Sequence, residues 1–154
     1  KVAKVKGGLG HYGEVALIVD RVDGISDIQE AYNGNGYAPQ GHTLTIPAQG
    51  FEDWKSAIRL GIKYAIQRLE DRGVSITVKE ASALLTDTNA AILAYAASRS
   101  LLENMSNSET AEEKSKFEDL VFSSYHYEDN ARIDLEHFRL IGALRPKSPY
   151  RTNG

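Results

Sequence analysis

An amphipathic segment from Phe51 to Leu69 constrains the fold most strongly. Acidic residues stand in its first turn, where the helix dipole favours them, and Gly73 follows as an end signal. Its apolar residues recur every three or four positions and therefore share one face of an α-helix: Phe51, Trp54, Ile58, Ile62, Ala65, Ile66 and Leu69. Such a face has to be covered by another layer, and the neighbouring segments predict a β-sheet.

Four segments predict strands. Lys1–Lys6 alternates roughly, Glu14–Val22 is rich in β-branched residues, His42–Ile46 is short and ends at Pro47, and Val74–Val78 alternates cleanly. We predict that the helix packs on the sheet through a core formed by Trp54, Ile58, Ile62, Ile66, Ala16, Ile18, Ile76 and Val78. Truncation of Ile62 to alanine is then expected to cost about 2–5 kcal/mol.

Further helices are predicted downstream. Thr88–Leu102 carries a face of small residues that permits close packing, and Glu109–Phe122 follows a capping-box spacing of Ser106 and Glu109. Asp129–Leu140 is predicted as a fourth helix, and the basic tail after it is expected to lack regular structure. The predicted fold class is therefore α+β, with a small mixed sheet, two helices on one of its faces and a C-terminal helical extension.

Composition restricts the class of protein. A chain of 154 residues suits one domain with a sizeable core, and its net charge of −3 argues against a main role in coating nucleic acid. The absence of cysteine excludes disulfides and thiolate metal sites. No apolar run approaches the roughly 18 residues of a membrane span, so we expect a cytoplasmic protein without a membrane partner. Because the chain begins at Lys1 and not at Met, we also expect it to be part of a longer protein.

The stretch Gly7–Val15 has the Gly-x-Gly-x-x-Gly spacing of phosphate-binding loops. A dinucleotide-binding motif needs a helix directly after the glycines, whereas a Val-rich strand follows here. A kinase needs further motifs that the sequence lacks. We therefore predict an exposed loop between two antiparallel strands, with no bound nucleotide or other cofactor. His11 and Tyr12 stand among more glycines than a tight turn requires, which is typical of loops that approach a partner.

A family resemblance begins at this loop. The stretch KVKGGLGHYGEVALIV resembles the start of domain IV of translation elongation factor G, in which a Gly-Gly-x-Gly-x-Tyr-Gly loop precedes a Val-rich strand. Similar segments follow in the same order: GNGY, IPAQGFEDWKSAIRLGI, VSITVKEASALLTDTN and AAILAYAASRSLLE. The resemblance covers about residues 1–103, leaving 104–140 as a helical extension packed on that domain and 141–154 as a basic tail. It implies a left-handed βαβ crossover in the sheet.

The resemblance also implies an RNA-binding tip. In that family, domain IV reaches toward the decoding centre of the small ribosomal subunit, and the glycine loop lies at its tip beside a second loop. The second loop here is shorter than the family's and lacks its histidine, and the chain has no GTPase motif. With two lysines that supply nearby charge, the candidate RNA-binding residues are Lys4, Lys6, Gly7, Gly8, Gly10, His11, Tyr12, Gly13, Asp87, Thr88 and Asn89.

Other charged residues give secondary candidates. Lys55, Arg59 and Lys63 recur every four residues on the helix, where a solvated helix face is the alternative to phosphate binding. Tail residues that would bind nucleic acid or an acidic partner, or merely form a soluble tail, are Arg145, Lys147 and Arg151. His126 and His137 have acidic neighbours, but their spacing is weak evidence, and no metal site is predicted.

Three classes of function remain open at this point. A non-enzymatic ribosome- or RNA-binding module is favoured by the resemblance and by the aromatic residue in the glycine loop. A protein-interaction module is the alternative, through the acidic segment 104–140 and the basic tail. An enzyme of unknown chemistry is the third possibility, because folds of this kind host unrelated activities. It ranks last because no catalytic residue is predicted.

Overall fold

A mixed five-stranded sheet forms the centre of the structure, and the predicted α+β class is confirmed. The computed structural model describes residues 2–6, 13–39, 42–70, 73–84, 88–127, 132–141 and 146. In chain order its elements are β1 (Val2–Lys6), β2 (Glu14–Arg21), β3 (Asp27–Glu30), β4 (Leu44–Thr45), α1 (Glu52–Ile66), β5 (Val74–Ala83), α2 (Ala90–Leu102), α3 (Ala111–Ser124), β6 (Arg132–Asp134) and β7 (Arg139–Ile141).

Strand β5 organises the sheet. Along one edge it pairs antiparallel with β2, which in turn pairs antiparallel with β1. Its other edge is divided between two short strands: β3 lies parallel beside Ser75–Val78, and β4 lies antiparallel beside Ser82 and Ala83. Because α1 lies in the connection between the parallel strands β3 and β5, these elements form a βαβ crossover. The left hand of this crossover stays a prediction.

The face of β2 that enters the core differs from the predicted one. Leu17 pairs with Val78 and Val19 pairs with Ile76, so the inner face of β2 carries Val15, Leu17 and Val19. Ala16 and Ile18 lie on the opposite face and outside the core cluster, so the prediction that they belong to the core beneath α1 is wrong. The whole run from Val15 to Val19 is apolar, and such a run does not reveal which alternate residues point inward.

Three other predictions are corrected by the structure. The segment Asp27–Glu30, which is not among the four predicted strands, forms the edge strand β3, whose only apolar residue is Ile28. The capping box of α3 joins Thr110 and Glu113 through two hydrogen bonds of 3.0 Å, whereas Ser106 and Glu109 were predicted. The predicted fourth helix is wrong as well, since β6 and β7 pair as an antiparallel hairpin.

Side-chain hydrogen bonds explain that hairpin. Oδ1 of Asp134 accepts hydrogen bonds from the backbone N–H groups of Glu136 and His137. Aspartate commonly stabilises turns in this way, because its short side chain reaches the backbone of the next few residues. Phe138 ends the turn in the left-handed region, at φ 50°. Its ring packs edge-on against Tyr64 at 5.9 Å between centroids, and this contact favours a conformation that non-glycine residues seldom adopt.

Helix α2 is enclosed by its neighbours. Every residue from Ala91 to Leu102 is buried, and Ser100 Oγ donates a hydrogen bond of 2.9 Å to the Val15 carbonyl of β2. On the side of α1, a Cβ added at Gly61 would lie 2.1 Å from the Ala94 carbonyl oxygen. The alanine- and serine-rich sequence of α2 is therefore the consequence of close contacts with both the sheet and α1.

Ile62 tests the predicted helix face. Its side chain is fully buried with Trp54 and Ile58, as predicted, while Ile66 is only half-buried. We expect Ile62→Ala to lower the free energy of unfolding by about 3 kcal/mol, because the truncation leaves a cavity between α1 and its neighbours. Urea denaturation measures the loss. The exposed Leu60 on the same helix is the matched control, and an equal loss in Leu60→Ala would show that the buried face is misassigned.

Candidate functional site

Two predicted loops leave the sheet at the same end, which we call the loop end. Lys6, the last residue of β1, pairs with Glu14 at the start of β2, and Glu14 pairs with Ser82 near the end of β5. The glycine loop therefore connects two antiparallel strands, as predicted, and β2 begins where a nucleotide-binding motif would need a helix. The second loop leaves β5 one strand away. The pairing register thus places the attachment points of both loops side by side.

Three of the glycine-loop candidates lie in or beside the paired strands. Lys4 and Lys6 belong to β1, where their backbones pair with Ala16 and Glu14. Gly13 is buried, and a Cβ at this position would lie 3.3 Å from Ile92 Cγ2 in the first turn of α2. The close contact holds the end of the loop against α2. The candidates outside the described residues are Gly7, Gly8, Gly10, His11 and Tyr12.

Thr88 and Asn89 of the second loop have structural contacts. Thr88 Oγ1 accepts a hydrogen bond of 2.8 Å from the Leu84 N–H. Asn89 caps α2 by accepting a bond of 3.0 Å from the Ile92 N–H, and its amide donates to Ser124 Oγ at 2.8 Å. Both residues are buried, so they anchor the chain where it enters α2 and do not themselves present a surface. Asp87 lies outside the described residues.

A third segment reaches the loop end and was not predicted. Thr45 of β4 pairs with Ser82, and residues 33–37 run along the outer side of β4. The Gly34 N–H donates to the Ile46 carbonyl at 3.0 Å, and the Gly36 N–H donates to the Thr45 carbonyl at 2.9 Å. These bonds advance along β4 toward the loop end, and the next residue, Tyr37, has 69% of its surface exposed. The only signal in the sequence is the turn-rich stretch NGNGY.

The basic residues of α1 do not form a phosphate-binding stripe. Lys55 is buried, and its Nζ donates a hydrogen bond of 2.9 Å to the Ala48 carbonyl and stands 5.0 Å from the centre of the Tyr32 ring. Arg59 is paired with Glu30 of β3. Lys63 is exposed. For Lys55, both interpretations from the sequence are therefore wrong: it neither is available to bind phosphate nor lies on a solvated helix face. The tail candidates Arg145, Lys147 and Arg151 lie outside the described residues.

A buried polar network joins α3 to the first two helices. Glu109 Oε2 accepts hydrogen bonds from Tyr64 at 2.7 Å and from Arg99 at 2.5 Å, with the side chains of Arg99 and Glu109 only 5% and 6% exposed. Arg68 pairs with Glu113 at 2.6 Å and stacks over the Tyr64 ring. The pKa of Tyr64 is raised, mainly because the hydroxyl is buried and in second place because it is hydrogen-bonded to Glu109.

The network changes how the acidic segment is interpreted. Tyr95 donates a hydrogen bond of 3.0 Å to Glu118, and burial followed by this bond raises the pKa of Tyr95. The backbone N–H of Thr110 is the main cause that lowers the pKa of Glu113. Three of the acids that suggested a protein-interaction surface therefore hold α3 on α1 and α2: Glu109, Glu113 and Glu118.

A cluster at the hairpin turn brings His137 beside two acids. Ligand atoms of Asp134, Glu136 and His137 all lie within 4.8 Å of one another. Asp134 Oδ2 is hydrogen-bonded to His137 Nδ1 at 2.8 Å and to Arg139 Nε at 3.0 Å. The bond to His137, followed by that to Arg139, lowers the pKa of Asp134 to about 2. The carboxylate thus has partners within the turn, and the cluster is explained by the hairpin itself.

A groove of about 500 Å³ separates α3 from the hairpin. Its lining includes Ser123, Asp119 and His137, the residue types of a nucleophile, an acid and a base. Among the described contacts the ring of His137 bonds to Asp134, and no hydrogen bond joins His137 to Ser123. Nucleophilic catalysis of this kind depends on such a bond between nucleophile and base, so Ser123 and His137 are not arranged as a nucleophile–base pair.

Comparisons with known proteins gave no match to a family model, to a curated protein or to a solved structure. Among the described residues, no helix is both long enough and apolar enough to cross a bilayer.

Proposed function

We propose that the chain is a non-enzymatic ribosome- or RNA-binding module that contacts structured RNA through its loop end. The observation that carries this proposal is that the two predicted loops are attached side by side at one end of a paired sheet. Loops held on a rigid sheet are common binding elements. The resemblance of residues 1–103 to domain IV of elongation factor G, in which two loops form an RNA-contacting tip, supplies the class of ligand.

Each part of the loop end has a role in this proposal. Backbone N–H groups of Gly8 and Gly10 approach phosphates, since glycine leaves room for close contact. Tyr12 stacks on an unpaired base. Lys4 and Lys6 supply positive charge at the strand that leads into the loop. Because the net charge of the chain is −3, we expect weak binding that falls steeply as salt rises.

Filter binding with a fragment of small-subunit ribosomal RNA tests the proposal. We expect a variant with Lys4→Ala, Lys6→Ala and Tyr12→Ala to bind at least about tenfold more weakly at low salt, because it loses two charges and one stacking contact. The slope of log K against log salt should fall by about one for each lysine that contacts a phosphate.

A charge-matched control separates a specific site from general attraction. Lys114→Ala with Lys116→Ala removes two positive charges from exposed positions of α3, and we expect it to reduce binding only slightly. Absence of binding by the unmodified protein at low salt contradicts the proposal. Equal losses in the two variants contradict it as well, and a protein partner then becomes the favoured alternative.

A further inference from the structure

From the exposure and the fixed position of Tyr37, we infer that its ring is a stacking platform for an unpaired RNA base, forming a third binding segment at the loop end. The inference rests on the proposed RNA-binding function and names its ligand as a single-stranded nucleotide. Tyr37 is 69% exposed, so the core does not need this ring. Tyr32, Tyr64 and Tyr95, by contrast, are buried.

Hydrogen bonds and close contacts hold the backbone around Tyr37 against β4. Its N–H donates to Asn35 Oδ1 at 3.2 Å, and the Asn35 N–H donates to Thr45 Oγ1 at 3.2 Å. Gly34 lies so close to β4 that an added Cβ would stand 2.4 Å from the Thr45 carbonyl carbon. Gly36 has a φ of 69° and packs against Pro47. A side chain on such a fixed segment loses little conformational freedom when it binds.

The position of Tyr37 fits an RNA strand that crosses the loop end. The bonds from Gly34 to Ile46 and from Gly36 to Thr45 run toward the place where the two predicted loops leave the sheet. Exposed polar side chains of His42 and Thr43 precede β4 at the same end. Such groups recognise the edges of unpaired bases, while an aromatic ring binds their flat faces.

Stacking makes a different prediction from charge attraction. We expect Tyr37→Ala to weaken binding of an unstructured RNA of about ten nucleotides by about tenfold, because one base loses its aromatic contact. Tyr37→Phe should bind within about twofold of the unmodified protein, since the ring is retained. The salt dependence should not change in either variant, because no phosphate contact is removed.

Fluorescence anisotropy with this RNA, and with a fully paired RNA hairpin, measures the effect. Ile25→Ala is the control, since Ile25 is 93% exposed in the turn between β2 and β3, at the opposite end of the sheet. If the unmodified protein binds RNA and Tyr37→Ala binds equally well, the inference is wrong while the proposed function stands. Binding of the paired hairpin alone would contradict the inference in the same way. If the unmodified protein binds neither RNA, the proposed function itself is wrong and the inference falls with it.

Discussion

Gly61→Val is expected to remove at least about 4 kcal/mol from the free energy of unfolding, an exceptional loss for one substitution. Even the first carbon of a side chain at this position would lie 2.1 Å from the Ala94 carbonyl oxygen and 2.9 Å from Ala94 Cα. These are backbone atoms of a helix packed on the sheet, so no side-chain rotation relieves the contact. The two helices would have to separate. Chemical denaturation followed by circular dichroism measures the loss.

Lys63→Val is the matched control for this substitution. It places the same β-branched residue two positions later in α1, at an exposed site, and we expect it to cost less than about 1 kcal/mol. Similar losses in the two variants would mean that the contact between α1 and α2 is not as close as the structure indicates.

Arg99→Met should destabilise the protein by about 3–5 kcal/mol, because it leaves the buried carboxylate of Glu109 without its positive partner. Methionine fills much of the same space, so the effect reports charge and hydrogen bonding more than a cavity. The hydrogen bond from Tyr64 remains and does not neutralise Glu109. Denaturation curves at neutral pH provide the measurement.

An exposed ion pair of the extension provides the comparison. Lys116 lies 3.1 Å from Glu112, with both side chains more than half exposed, and Lys116→Met should cost less than about 1 kcal/mol. In the double variant Arg99→Met with Glu109→Gln, part of the loss should be recovered because the unpaired charge is removed. If Arg99→Met costs no more than Lys116→Met, the buried pair does not hold the extension on the helices.

The elements that sequence predicts well are those with a strong period. Helix α1 repeats its apolar residues over four turns and lies close to its predicted bounds. Strand β5 alternates from Val74 to Val78 and begins at its predicted residue, although it continues to Ala83. Which alternate residues of β2 face the core cannot be predicted from such a pattern, because Val15 to Val19 is apolar throughout. Strand β3 is short and polar, and its place is determined by pairing with β5 rather than by its own side chains.

In the candidate site too, features that depend on neighbouring residues are predicted from the sequence, whereas features that depend on residues far apart in the chain are not. The connection of two antiparallel strands by the glycine loop follows from the Val-rich run directly after it. The place of the segment that carries Tyr37 depends on the register of β4 against β5, which no local pattern specifies. Likewise, the bond between Tyr64 and Glu109 joins residues 45 positions apart, and spacing along the chain gives no indication of it.

The central place of β5 has a consequence for the order in which the chain folds. During synthesis, residues 2–66 emerge before the strand that β2, β3 and β4 must all pair with. Until Val74–Ala83 follows, the pairing of β1 with β2 is the one sheet contact available among the described strands of the main sheet. During this interval the apolar face of α1 is not yet covered by the completed sheet or by α2. Assembly of the nascent domain is therefore expected to be a late and cooperative event rather than a stepwise one.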